Sequence, residues 1–138
     1  MADAPLTGGC LCGGVRFEID APLISARYCH CTRCQRRTGT ASSANAQLAP
    51  GSLRVTRGEE LIRGYTPPDG AEKLFCSRCG SALFTRDPVD SEPLGVRLGA
   101  LDGDPGVRPS VHQFTAYAAL WEPIPDDGLP RYPERRPT

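Results

Sequence analysis

Three short stretches of the sequence, 10-CLC-12, 29-CHCTRC-34 and 76-CSRC-79, contain all seven cysteines of the 138-residue chain. An odd number of cysteines cannot pair completely within one chain, and structural cysteines are more scattered than these. In an extended segment, residues two apart point to the same side, so each C-x-C pair can face one metal ion. The C-x-x-C spacing fits the tight turn of a zinc knuckle. The cysteines therefore predict metal binding, divided most economically into one set of four and one set of three.

The composition indicates a single domain, 1–138, rich in turns, with 15 glycines and 14 prolines. Sixteen basic and 16 acidic residues give zero formal net charge. This balance counts against nucleic-acid or anionic-membrane binding by overall charge. The longest apolar stretch, 114–121, is too short to span a bilayer. The first ten residues lack the basic start and apolar centre of a secretory signal, so we expect a cytoplasmic protein, in which structural disulfides are disfavoured.

Short alternating runs of apolar and polar residues, separated by turn residues, predict a mainly β domain with little helix. The strand predictions are 14–19, 25–29, 42–48, 53–56, 61–65, 73–76, 82–85, 96–101 and 111–114. One helical turn is expected at 32–38, directly after the first two cysteines of its cluster. The segment 122–138 contains five prolines and is expected to be extended, with a flexible tail at 133–138.

The cysteine clusters lie within longer motifs that resemble a known family, the GFA domain. The motifs are GGCLCGGVRF (8–17), CHCTRCQRRTG (29–39), FCSRCGSALF (75–84) and GALDGDP (99–105), followed by His112 and Trp121. The GFA family comprises the glutathione-dependent formaldehyde-activating enzymes and includes centromere protein V. The resemblance covers the core, about residues 9–132. It implies an Mss4-like fold, a small loop-rich β-sandwich stapled by zinc.

The resemblance also implies two Zn²⁺ ions per chain and says which cysteines hold each one. It assigns Cys10, Cys12, Cys76 and Cys79 to a structural zinc and Cys29, Cys31 and Cys34 to a second zinc. The four-cysteine site would join segments more than sixty residues apart, and we expect that the domain does not fold without that ion. Three ligands leave one tetrahedral position open, as in a catalytic zinc site.

The alternative for the second site is that a protein side chain supplies the fourth ligand. His30, His112 or a carboxylate could do so. His30 is the weaker candidate, because it lies between two ligands of an extended C-x-C and points to the opposite face.

The reaction of the family joins glutathione to formaldehyde and gives S-(hydroxymethyl)glutathione. The resemblance therefore implies a zinc-dependent carbon-sulfur lyase in which a small thiol binds the open site and adds to an aldehyde. The alternative is a non-catalytic zinc module that binds a thiol, a protein or a nucleic acid. The zero net charge counts against nucleic acid.

Residues near the three-cysteine cluster are candidates for substrate binding. Arg33, Arg36 and Arg37 could offset the negative charge of the zinc thiolates and bind substrate carboxylates; the alternative is an ordinary solvated turn. Thr38 could offer a hydroxyl and Gly39 a close backbone approach, or the pair could form a plain turn. His112 could act as a general acid–base or be a structural histidine.

Two departures from the family pattern bear on the substrate. Residues 40–43 lack a large aromatic that relatives often carry, and residues 117–120 lack a basic residue found before the tryptophan. Glutathione itself therefore does not follow from the resemblance. Trp121 is expected in the core.

Overall fold

A computed structural model describes residues 5–137 and shows a mainly β protein. Within these residues the strands are β1 (Leu6–Gly9), β2 (Arg16–Ile19), β3 (Ser25–Cys29), β4 (Ser43–Gln47), β5 (Leu53–Arg57), β6 (Ile62–Tyr65), β7 (Glu72–Cys76), β8 (Ala82–Arg86), β9 (Pro93–Arg97), β10 (Pro109–Gln113) and β11 (Arg131–Tyr132). The α-helix α1 spans Thr32–Thr38, and 3-10 turns span Glu59–Leu61, Leu98–Ala100 and Thr115–Tyr117. The expected fold class, mainly β and loop-rich with little helix, is confirmed.

The strands form two sheets, which are joined by the apolar core. The smaller sheet has the order β1-β2-β5 and the larger has the order β11-β10-β3-β4-β9-β8-β7-β6. All pairs are antiparallel except those of β10, which lies parallel to both β3 and β11. Phe17 of the small sheet meets Phe84 of the large sheet edge to face, with ring centroids 4.9 Å apart. Both rings are almost completely buried, so the sheets pack face to face.

The observed elements match most of the sequence predictions, with one error and two omissions, of which the short strand β11 lies in the segment expected to be extended. The bounds of β3 and α1 are those predicted. The strand predicted at 96–101 is wrong in its second half, because the chain leaves the sheet after Arg97 and forms the 3-10 turn Leu98–Ala100. The strand β1 was not predicted, since its sequence, LTGG, has low β-propensity.

Close packing explains why the glycine-rich segment β1 is a strand. A Cβ atom at Gly8 would lie 2.3 Å from the Ala100 carbonyl oxygen and 2.4 Å from the ring of Phe17. Gly8 therefore allows β1 to pair with β2 directly beside the core.

The C-terminal segment is irregular apart from β11, and it lies against β10 and the turn that follows. The Phe114 amide donates to the Glu134 carbonyl at 3.0 Å, and the Arg136 amide donates to Gln113 Oε1 at 3.4 Å. The flexibility expected for 133–138 stays a prediction. No helix in the described part of the chain is long and apolar enough to cross a membrane.

Candidate metal centres

The first cysteine cluster is formed by two turns at one end of the core. Cys10 and Cys12 lie in the turn between β1 and β2, while Cys76 ends β7 and Cys79 lies in the turn between β7 and β8. Gly80 has φ 80° and its amide donates to the Cys76 carbonyl at 2.7 Å, which closes the second turn. The four Sγ atoms lie within 4.8 Å of one another.

The spacing of these four sulfurs fits a tetrahedral zinc ion. With Zn–S bonds of about 2.3 Å, sulfurs at tetrahedral corners are about 3.8 Å apart. The Cys10 and Cys12 sulfurs are 3.5 Å apart, and those of Cys12 and Cys76 are 3.9 Å apart. None of these cysteines forms a disulfide. Four cysteine sulfurs at this spacing could hold a tetrahedral metal ion.

Hydrogen bonds around this cluster favour thiolates. The Val15 amide donates to Cys10 Sγ at 3.2 Å and Arg78 Nε donates to Cys12 Sγ at 3.3 Å. Several hydrogen bonds lower the pKa of Cys79 to about 5, and the one with the Ser81 hydroxyl contributes most. Metal ions bind the deprotonated thiol, so these contacts prepare the cluster for a cation.

The second cluster joins the end of β3 to the first turn of α1. Cys31 is the N-cap of the helix, and its sulfur accepts the Cys34 amide at 3.3 Å. The sulfurs of Cys29, Cys31 and Cys34 lie within 4.8 Å of one another. Cys29 and Cys34 are buried, and Cys31 is half-buried. Across residues 5–137, no histidine or carboxylate joins these three sulfurs, so a tetrahedral ion held here would keep one position open.

The two histidines weighed as a fourth ligand contact each other instead. His30 Nε2 and His112 Nδ1 are 2.8 Å apart, and His112 Nε2 lies 2.8 Å from Asp127 Oδ2. The His112 ring also stacks on Tyr28, with centroids 5.0 Å apart. Burial lowers the pKa of His30, and the hydrogen bond from His112 lowers the pKa of Asp127. The arrangement holds the Cys29–Cys31 segment against β10, and neither histidine joins the three sulfurs.

The candidate substrate residues on α1 have different surroundings. Arg33 is paired with Asp69 at 2.5 Å, and Arg36 is exposed. Arg37 lies over the Phe75 ring, with its guanidinium carbon 5.8 Å from the ring centroid. The Nε and Nη2 atoms of Arg37 are buried without a hydrogen-bond partner among the described residues.

Two further candidates for substrate binding, Thr38 and Gly39, lie at the end of the helix α1. The Thr38 hydroxyl donates to the Cys34 carbonyl at 2.9 Å, so it serves the helix backbone. Gly39 has φ 70° and its amide donates to the Gln35 carbonyl, which ends α1.

Comparison with known proteins assigns the family. The family model described as "GFA: Glutathione-dependent formaldehyde-activating enzyme" matches residues 5–117. The chain belongs to the GFA family. It is 32% identical over 107 residues to a Halomonas elongata protein named "Putative glutathione-dependent formaldehyde-activating enzyme", a match that covers 72% of this chain and 67% of that protein.

A solved structure shows the same fold as this GFA chain. It is a crystal structure of a Rhodobacter sphaeroides protein, with a TM-score of 0.54 and 34% sequence identity. The match covers 71% of this chain and 89% of that chain. The family resemblance seen in the sequence motifs is thus confirmed.

Three basic residues that the sequence patterns did not predict also lie near the three-cysteine cluster. Arg27 of β3, Lys73 of β7 and Arg97 of β9 approach the three-cysteine cluster, and burial lowers the pKa of both Arg27 and Lys73. Arg97 is only 8% exposed. Each lies in a predicted strand beside an apolar residue, which was the available signal, since basic residues are rarely buried without a partner.

A shallow groove of about 210 Å³ borders α1, the helix that contains Cys34, but none of the three cysteines lines it. It is lined by Thr32, Gln35, Arg36, Gly39, Thr40 and Trp121. Trp121 is 67% exposed, so its expected place in the core is wrong. It lies in the segment after the last 3-10 turn, where its indole forms one wall of the groove.

Proposed function

We propose that this GFA protein is a zinc-dependent carbon-sulfur lyase-type enzyme that combines a small thiol with an aldehyde. One observation carries the proposal: three cysteine sulfurs converge, and no fourth protein ligand in residues 5–137 joins them. Zinc held by Cys29, Cys31 and Cys34 supplies an open coordination position that keeps an incoming thiol deprotonated. The four-cysteine site has the structural role, since four sulfurs saturate a tetrahedral ion.

The reaction requires only the two substrates. The thiol sulfur bonds to the aldehyde carbon, the carbonyl π bond opens, and the proton released by the thiol ends on the carbonyl oxygen. The product is a hemithioacetal, such as S-(hydroxymethyl)glutathione from glutathione and formaldehyde. The reverse reaction breaks the carbon-sulfur bond.

The protein must contribute more than deprotonation of the thiol. A thiol with a pKa near 8.5 is already about 3% ionised at pH 7, so complete ionisation gives at most about a thirtyfold gain in rate. Holding the aldehyde carbon against the sulfur can contribute far more. The groove formed by the end of α1 and Trp121 offers walls for that purpose.

Cobalt substitution tests the open position directly. We expect the absorption spectrum of protein with cobalt bound by Cys29, Cys31 and Cys34 to change when glutathione or mercaptoethanol is added. Thiol affinity should rise with pH until the free thiol is ionised, near pH 8.5, because binding releases a proton.

The matched control is an alcohol of the same size, ethylene glycol against mercaptoethanol, which should leave the spectrum unchanged. A spectrum indifferent to every thiol would favour the non-catalytic zinc module. A thiol-dependent spectrum without faster hemithioacetal formation would mean that the protein binds thiols but does not turn them over.

A further inference from the structure

One face of the large sheet concentrates basic side chains beside the three-cysteine cluster. Residues directly opposite each other in neighbouring strands project from the same face. Ser43 lies opposite Cys29, and Asn45 lies opposite both Arg27 and Arg97. Arg27, Arg97 and the buried thiol of Cys29 therefore share this face, which is opposite the one that packs on the small sheet.

Lys73 and Arg37 extend the same basic surface. Lys73 lies opposite Thr85, and Thr85 lies opposite Gly95, two residues before Arg97 in β9. Arg37 reaches this face from α1, where it packs over Phe75, two residues from Lys73. The four basic residues of this face, Arg27, Arg37, Lys73 and Arg97, are called the basic face below.

The basic face has no carboxylate partner within the described part of the chain. None of the ion pairs found among residues 5–137 includes a member of it. Arg97 donates from Nη1 to Asn45 Oδ1, but its buried Nε has no hydrogen-bond partner in the described chain. Arg37 likewise has two buried donors without partners there. Buried guanidinium donors are normally satisfied, so these three unpaired atoms point to a ligand.

The cysteine cluster accounts for only part of this positive charge. With zinc, three thiolates carry a net charge of about −1, and a bound substrate thiolate makes it about −2. The basic face has four cations, so about two positive charges remain without a counter-ion among residues 5–137.

We propose that Arg37, Arg97 and Lys73 form a subsite for a carboxylate carried by the substrate. The inference rests on the proposed function, because it takes the substrate sulfur to lie at the three-cysteine cluster. Cys29 and Arg97 are two strands apart, about 10 Å across the sheet, and a long arginine side chain spans much of that distance. A guanidinium group binds a carboxylate through two parallel hydrogen bonds. The preferred substrate pair thus includes a thiol or an aldehyde with a carboxylate a few bonds from the reacting atom.

Three small probes separate the sulfur and carboxylate contributions: 3-mercaptopropanoate, its neutral analogue 3-mercaptopropanamide, and propanoate, which lacks the thiol. Binding of each to zinc-loaded protein is measured by calorimetry. We expect 3-mercaptopropanoate to bind at least about tenfold more tightly than the amide. Propanoate should bind weakly and compete with it.

Substitutions of the two arginines test whether they cause the preference for 3-mercaptopropanoate. Arg37→Gln and Arg97→Gln should each reduce the preference for 3-mercaptopropanoate by about tenfold while the zinc content is retained. The control is Arg57→Gln, which removes an exposed arginine from β5 in the small sheet and should leave the preference intact. If Arg97→Gln does not fold, Arg97→Lys keeps the charge but removes the two-pronged geometry, and the preference should still fall.

A parallel measurement assigns the carboxylate to the thiol or to the aldehyde. Hemithioacetal formation by 3-mercaptopropanamide is compared with glyoxylate and with formaldehyde. If glyoxylate reacts faster than formaldehyde and Arg37→Gln removes this difference, the subsite is supported and the carboxylate belongs to the aldehyde.

The outcomes separate this inference from the proposed function. If thiols bind but neither carboxylate-bearing probe gains over its neutral counterpart, or if the gain survives both arginine substitutions, the carboxylate subsite is overturned. If propanoate binds in an Arg37-dependent manner and no thiol binds, the subsite stands and the proposed thiol chemistry is overturned.

Discussion

Single cysteines in the two clusters have different structural surroundings, although all seven are candidate zinc ligands. Cys76 is fully buried at the end of β7, whereas Cys31 is half-buried at the start of α1. Cys31 also caps the helix through its sulfur. Loss of a sulfur should therefore affect folding at one position and the open site at the other.

Serine substitutions at these two positions test the division of roles. We expect Cys76→Ser to give insoluble or unfolded protein, because the site that connects two distant turns then has three thiolates. Cys31→Ser should give folded protein with one zinc and no thiol binding, since serine is itself a good N-cap residue. Zinc content and circular dichroism check both results. Equal unfolding in the two variants would show that the three-cysteine site is structural.

At the scale of residues, the sequence identifies sulfur ligands better than it identifies their neighbours. The three clusters follow from spacing, as does the direction of His30, opposite to Cys29 and Cys31, because an extended C-x-C fixes which side chains share a face. Arg97 and Lys73 could not be found in this way. Their approach to Cys34 depends on the order of the strands in the large sheet, β3-β4-β9-β8-β7, and that order is not encoded in any local pattern.

Among the elements, α1 is the one that connects the second cluster to the groove. Cys31 begins it, Cys34 lies inside it, and Gly39 ends it with φ 70°. The same short segment carries Arg37 toward the basic face and exposes Arg36. Its local signals, a capping residue and a final glycine, explain why its bounds could be predicted.

Gly39→Ala tests how far the stability of the protein depends on this helix end. No atom lies within 4 Å of the added Cβ, so the cost is that of the left-handed backbone, about 1 kcal/mol. Urea unfolding of the zinc-loaded protein measures this loss. Gly99→Ala is the matched control, since its Cβ also meets nothing but its φ lies outside the left-handed region. Equal effects at the two positions would contradict the cap assignment.

The strands show where local patterns fail as predictors. Alternation continues through 96–101, yet β9 ends at Arg97 because the following residues turn toward β1, where Leu101 forms an isolated bridge with Gly8. The strand β1 forms because it pairs with β2, and the Ala100 carbonyl and the Phe17 ring leave room only for glycine at position 8. Both features are consequences of tertiary packing.

For the whole molecule, the two clusters close very different loops. The four-cysteine cluster joins residues 10–12 to residues 76–79 and so connects the small sheet to the edge of the large one. The three-cysteine cluster closes a loop of six residues and joins β3 only to α1. Most of the fold therefore depends on the first site, while the second adds little constraint beyond its own turn.

Mild chelation should reveal this difference as two classes of metal. We expect one zinc per chain to leave readily, because the three-cysteine site has an open position through which a chelator can bind. The second ion should leave only under stronger chelation, with loss of the β signal in circular dichroism, because four thiolates from distant segments surround it. Metal release and circular dichroism are followed in the same titration, and Cys31→Ser serves as the control that lacks the fast class. Simultaneous loss of both ions with global unfolding would contradict the division into one closed and one open site.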